Sequence, residues 1–178
     1  DTNVYTASRL SEFSECPMKY YLHNIRGFRP ESRHPNAVRG TAIHGAINRI
    51  HRLKKFGDWL DIYEEEKAKA LSDPFEADLP WAGKATEEDI VGAFEDGSTM
   101  LGGYVERNRE AKVIASEVQG RMILKHPRTK TKYRFAMTID QVRETPGGLQ
   151  IVDLKTGKNT PNDAYLARSL QFTGYGAG

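Results

Sequence analysis

The chain has 178 residues, 38% of them hydrophobic, enough for one domain around one core and too little for two. Its net charge is only +2, from 26 basic and 24 acidic residues, so any nucleic-acid footprint must be local, at residues 26–29, 49–55 or 125–134. Cys16 is the single cysteine, which excludes an internal disulfide and a four-thiolate metal site built from this chain alone, and no apolar run approaches the roughly 20 residues that span a bilayer.

The first residues, Asp1-Thr2-Asn3, carry no basic-then-apolar signal, and the expectation is a soluble cytoplasmic protein. Ser8 is the expected N-cap of a short helix with Leu10 and Phe13 inward. Pro17 suits the first turn of a second helix through Tyr20, Tyr21 and Leu22. Residues 29–38 hold two prolines and no periodicity, which predicts a loop. A better helix follows Gly40, with Thr41 as cap and Ile43, Ile47 and Ile50 as its apolar stripe. Residues 59–71 and 86–108 also read as helical.

The period then changes. Val118, Met122 and Leu124 share one parity, His126-Pro127-Arg128-Thr129 is a turn signal, and Tyr133, Phe135, Met137 and Ile139 alternate again, which predicts an antiparallel hairpin. Pro146-Gly147-Gly148 is a second turn, leading into a strand from Leu149 to Lys155. A last helix is expected from Asn162 or Asp163 through Leu166, Leu170 and Gln171. Helices, a strand meander and a helix make an α/β core with a mixed or antiparallel sheet.

Asp153 and Lys155 are two apart on the expected strand, so both leave the same face. If Leu149 and Ile151 face the core, a carboxylate and an ammonium follow them inward, and burying either charge alone costs several kcal/mol, roughly, unless it is paired or metal-bound. The bland alternative is a strand that emerges into solvent at Asp153. Asp140 favours the first reading, because the turn at Pro146-Gly147-Gly148 returns the chain so that Asp140 lies beside Asp153. Two carboxylates so placed repel, and a hard divalent cation with water and substrate phosphate relieves the repulsion. Lys155 is then placed to orient or deprotonate the attacking water and to neutralise the transition state. This set fits phosphodiester hydrolysis.

His44 stands at the edge of the apolar stripe, where a structural hydrogen bond is the commoner role for a lone histidine, although imidazole also suits Mn²⁺ and other transition ions. Gln171 and Tyr175 share a helix face at i and i+4, a spacing that ordinary amphipathicity also produces.

Taken together, Ser8-Arg9-Leu10, Cys16-Pro17-Met18-Lys19-Tyr20, Gly40-Thr41-Ala42-Ile43-His44, Ile139-Asp140, Ile151-Val152-Asp153-Leu154-Lys155-Thr156-Gly157 and Gln171 to Tyr175 resemble the RecB-like branch of the PD-(D/E)XK nuclease superfamily. Within it the chain is similar to the AddB nuclease domain and to the exonucleases of CRISPR adaptation. The resemblance implies a restriction-endonuclease-like core: a central mixed sheet with an antiparallel hairpin, flanked by helices, after a helical N-terminal half. It implies one domain over residues 1–178 with a helical insertion at about 56–112, and the expectation is a fragment that lacks its C-terminal part. His44, Asp140, Asp153 and the Leu154 backbone carbonyl match the ligands of Mg²⁺ or Mn²⁺, and Asp140, Asp153 and Lys155 match the catalytic set. Glu117, Gln171 and Tyr175 match supporting positions.

The implied activity is DNA cleavage, as an exonuclease of repair, recombination or phage replication, on single strands or duplex ends, with a helicase or recombination protein as partner. The competing reading is a nuclease-fold module that binds DNA or a helicase without cutting. There are departures. Met137 stands where relatives often have glycine. Some relatives bind a 4Fe-4S cluster through one early cysteine and three late ones; Cys16 matches the first and the others are absent, so a cluster requires a longer parent chain with a C-terminal part beyond Gly178.

Overall fold

A computed structural model of the protein describes residues 4–157 apart from Pro30, Phe75 and Lys84. The elements are β1 (Val4–Thr6), α1 (Ala7–Glu15), α2 (Pro17–Tyr20) continuing into a π-helical turn (Tyr21–Ile25), α3 (Pro35–Leu53), α4 (Trp59–Leu71), α5 (Glu87–Asn108), β2 (Lys112–Lys125), β3 (Lys132–Thr145) and β4 (Gly148–Val152). The class is α/β, as expected, with a helical first half. The sheet is mixed, in the order β1-β3-β2 with β4 also on β3: β1 runs parallel to β3 and β4 antiparallel to it.

Contacts divide the chain into two compact units, one drawing on Asp1–Arg29 and Glu117–Ile139, the other on Pro30–Ser116 and Asp140–Lys158. In the first, Val4–Thr6 pairs with Arg134–Ala136, and Phe135 is buried. Helix α1 is capped by Thr6, whose hydroxyl accepts from the Arg9 amide at 3.2 Å. Ser8 is therefore not the cap, and Phe13 is exposed rather than inward. The inward polar anchor of α1 is Glu12, which accepts from Asn24 at 2.6 Å and pairs with His23 at 2.7 Å. Pro17 opens α2 as expected.

In the second unit, α3 begins at Pro35, not after Gly40. The His34 ring accepts from the Asn36 amide and Pro35 takes the first helical position, where its missing N–H costs nothing. The prolines that suggested a loop thus include a helix starter, and Thr41 sits inside the helix with its hydroxyl on the Ala37 carbonyl at 3.3 Å. The apolar stripe is as expected: Ile43, Ile47 and Ile50 are buried against Ile62 and Tyr63 of α4 and Leu101, Tyr104 and Val105 of α5. Each such side chain contributes roughly 1.5–3 kcal/mol by leaving water. The convergence needs Gly97, since a Cβ there would meet both the Arg39 side chain and the Tyr63 hydroxyl. Helices α4 and α5 match the expected 59–71 and 86–108 within a residue, and α5 opens on a capping box between Thr86 and Asp89. Residues 56–112 therefore supply much of this unit's core.

Strand β4 ends at Val152, three residues short of the expected Lys155, and Leu149 and Ile151 are 71% and 42% exposed. The premise that they lead Asp153 inward along an apolar face fails. Alternation in β2 also shifts. Its less exposed positions are Val113 and Ala115, then Val118, Gly120 and Met122, and between them Glu117 holds φ +51°, a left-handed conformation rare outside glycine. Leu124, placed with Val118 by parity, is exposed. The expected last helix, with Gln171 and Tyr175, lies outside the described residues.

Candidate active site

The second unit holds five of the expected residues, His44, Asp140, Asp153, Leu154 and Lys155. Register pairs Gln141 with Val152, where the ladder ends, so the turn at Pro146-Gly147-Gly148 returns the chain and brings the segment after Val152 to Asp140. Asp140 uses its two oxygens separately. Oδ2 accepts from the Leu154 amide at 2.6 Å, and Oδ1 lies 3.8 Å from His44 Nδ1 on α3. Asp153 is 1% exposed at its side chain and pairs with Lys155 Nζ at 2.7 Å, while Lys155 itself reaches solvent. The strand does not emerge into water at Asp153. Asp153 and Lys155 share a side, as their spacing predicted, although they follow the strand instead of belonging to it. Leu154 between them packs on the core and anchors the segment from the other side.

Helix α3 holds this segment at a second point, which the sequence did not reveal. Arg39, 1% exposed, donates from its guanidinium to the Thr156 carbonyl at 2.7 Å. Gly40 beside it has no side chain, and a Cβ there would sit 3.1 Å from Thr156 Oγ1. The only sequence signal for Arg39 was an arginine five positions before His44, just ahead of the helix expected after Gly40.

Behind β3, on the face away from Asp140, lies a buried polar network. Arg143 donates twice to the Gln141 amide oxygen, at 3.0 and 2.7 Å, and once to Asn108 Oδ1 at 2.8 Å. Gln141 Nε2 donates to the Tyr104 hydroxyl at 2.8 Å, Tyr104 donates to Gln141 Oε1 at 3.1 Å, and His51 Nε2 lies 2.7 Å from the same hydroxyl. His51 is neutral near pH 7. Burial, and secondly the Arg143 charge, hold its pKa down at about 4. Burial likewise pushes the Tyr104 hydroxyl up, against the hydrogen bonds from Gln141 and Arg143.

The His44 and Asp140 donors fit a hard or borderline cation. Their 3.8 Å separation is too long for a hydrogen bond. The pattern of the PD-(D/E)XK nuclease superfamily matches residues 4–177, nearly the whole chain. The protein belongs to that superfamily. No individual curated protein and no solved structure gives a significant match.

As a PD-(D/E)XK nuclease it carries the restriction-endonuclease-like α/β fold and belongs to a group of hydrolases that use divalent metals. Glu117 of this nuclease lies in the first unit, on β2, exposed and at positive φ. Cys16 is exposed between α1 and α2, where its sulfur caps the Lys19 amide at 3.5 Å. No described helix is long and apolar enough to cross a membrane.

Proposed function

We propose that the protein is a Mg²⁺- or Mn²⁺-dependent deoxyribonuclease of the RecB-like branch, acting as an exonuclease. The observation that carries this reading is the buried Asp153 carboxylate paired with Lys155, in the segment that Asp140 holds through the Leu154 amide while its second oxygen faces His44. His44, Asp140, Asp153 and the Leu154 carbonyl hold the cation, with Glu117, Gln171 and Tyr175 in support. When bound, the metal acidifies a water and polarises the scissile phosphate. Asp140 keeps the 153–156 segment in register through the Leu154 amide. Asp153 orients the Lys155 ammonium, which swings from its carboxylate partner toward the substrate and offsets charge developing on the phosphate. The proposal extends to one nuclease domain with residues 56–112 inserted, to cytoplasmic work in DNA repair, recombination or phage replication, and to a helicase or recombination partner. The 4Fe-4S cluster stays confined to a longer parent chain.

The test is cleavage of end-labelled single- and double-stranded DNA with Mg²⁺, Mn²⁺ or chelator, comparing wild type with Lys155→Ala. Metal-dependent cutting that the variant loses supports the reading, and shortening from one end shows exonuclease action. A folded, metal-supplied wild type that binds DNA and leaves it whole would make the protein a binding module.

A further inference from the structure

Residues 118–139 contain no Asp or Glu and six cations: Arg121, Lys125, Arg128, Lys130, Lys132 and Arg134. The chain as a whole is only +2, so this hairpin is a local concentration of positive charge, one of two acid-free stretches with six cations, the other being residues 32–57. All six side chains are exposed.

Their arrangement is ordered. A Cβ on Gly120 would meet the Met137 side chain at 3.1 Å, so Gly120 and Met137 share one face of the hairpin. Side chains alternate along a strand, which puts Arg121 and Lys125 of β2, and Lys132 and Arg134 of β3, together on the other face. Val4 and Ile123 contribute apolar lining, beside Arg121 and Arg134, to a cavity of ≈ 370 Å³, a surface that accepts a sugar face next to a phosphate. The turn is braced for presentation. The His126 amide donates to the Thr131 carbonyl at 2.9 Å, and the His126 carbonyl and ring nitrogen accept from the Lys130 and Thr129 amides, each at 3.0 Å. Lys130 takes φ +60° to close it.

We infer that the β2–β3 hairpin is a grip for the DNA phosphate backbone, sequence-independent and distinct in its residues from the cleavage set. Its partner rests on the nuclease reading; its charge and geometry do not. A braced cationic ribbon loses little entropy on binding, and each phosphate it neutralises releases counterions, so its contribution fades with salt.

The experiment is fluorescence anisotropy of a short labelled duplex in chelator across a salt series, for wild type and Arg128→Ala/Lys130→Ala/Lys132→Ala, with melting temperatures as a folding control. The variant is expected to bind about tenfold or more weakly near 0.1 M salt, with the slope of log K against log salt shallower by about 0.9 for each phosphate it no longer neutralises. Arg128→Glu alone should weaken binding and Arg128→Lys should keep it, which covers any failure of the triple variant to fold. Unchanged affinity and slope overturn the grip. Because binding is read without metal, hairpin-dependent binding by a protein that never cuts would sink the nuclease reading alone, and normal cutting with hairpin-independent binding would sink the grip alone.

Discussion

Asp140 has two oxygens with different tasks: one fixes the Leu154 amide and the other faces His44. Asparagine separates them, because its amide oxygen can still accept from Leu154 while the negative charge is gone. Asp140→Asn should therefore melt within a few degrees of wild type, bind Mn²⁺ more weakly by calorimetry, and cleave about 100-fold or more slowly. A large fall in melting temperature would make the carboxylate structural instead. At this scale the sequence was informative where one strand turn sets the distance. Asp140 and Asp153 flank a short hairpin with its Pro-Gly-Gly signal, so the return of the segment after Val152 to Asp140 follows from counting. His44 was ambiguous because its neighbours on α3 say nothing of what stands opposite. Arg39 was invisible because its partner is a backbone carbonyl 117 positions away in sequence.

Helix α3 is the element that ties the site together, since His44 faces Asp140 while Arg39 and Gly40 hold Thr156. Gly40→Ala isolates this role. In a helix interior alanine is favoured over glycine by about 1 kcal/mol, so the helix itself gains. The new methyl, 3.1 Å from Thr156 Oγ1, pushes the segment that carries Lys155. The expected result is a melting temperature equal to or above that of wild type with cleavage reduced several-fold. Unimpaired cleavage would show that Thr156 yields without moving Lys155. Periodicity made the α3 stripe and the lengths of α4 and α5 legible, because one apolar face against one core leaves a clear repeat. It failed at the two ends of elements. Pro35 starts a helix where the same residue more often marks a loop, and β4 stops at Val152, after which the Leu154 amide turns to Asp140 and the Thr156 carbonyl to Arg39.

Taken as a whole, the molecule spends its buried polarity behind the site as well as in it, and this sets how its stability responds to pH. His51, whose Nε2 lies 2.7 Å from the Tyr104 hydroxyl, is held neutral, with its pKa depressed from 6.5 to about 4. An unfolded chain protonates this ring below pH 6.5 and the folded one does not, so the unfolded state binds more protons between about pH 6.5 and 4. Stability from this group is thus fully present above 6.5 and falls as pH drops through that window, by up to about 3 kcal/mol, less whatever solvent screening of the half-buried ring removes. His51→Gln keeps a side-chain acceptor and removes the titration. Urea unfolding at pH 7.5 and 5 should show wild type losing more stability than the variant over that interval, beyond the carboxylate effects common to both. Equal losses would mean that His51 is protonated in the folded state, while Tyr104 keeps its proton on the Gln141 oxygen, 3.1 Å away.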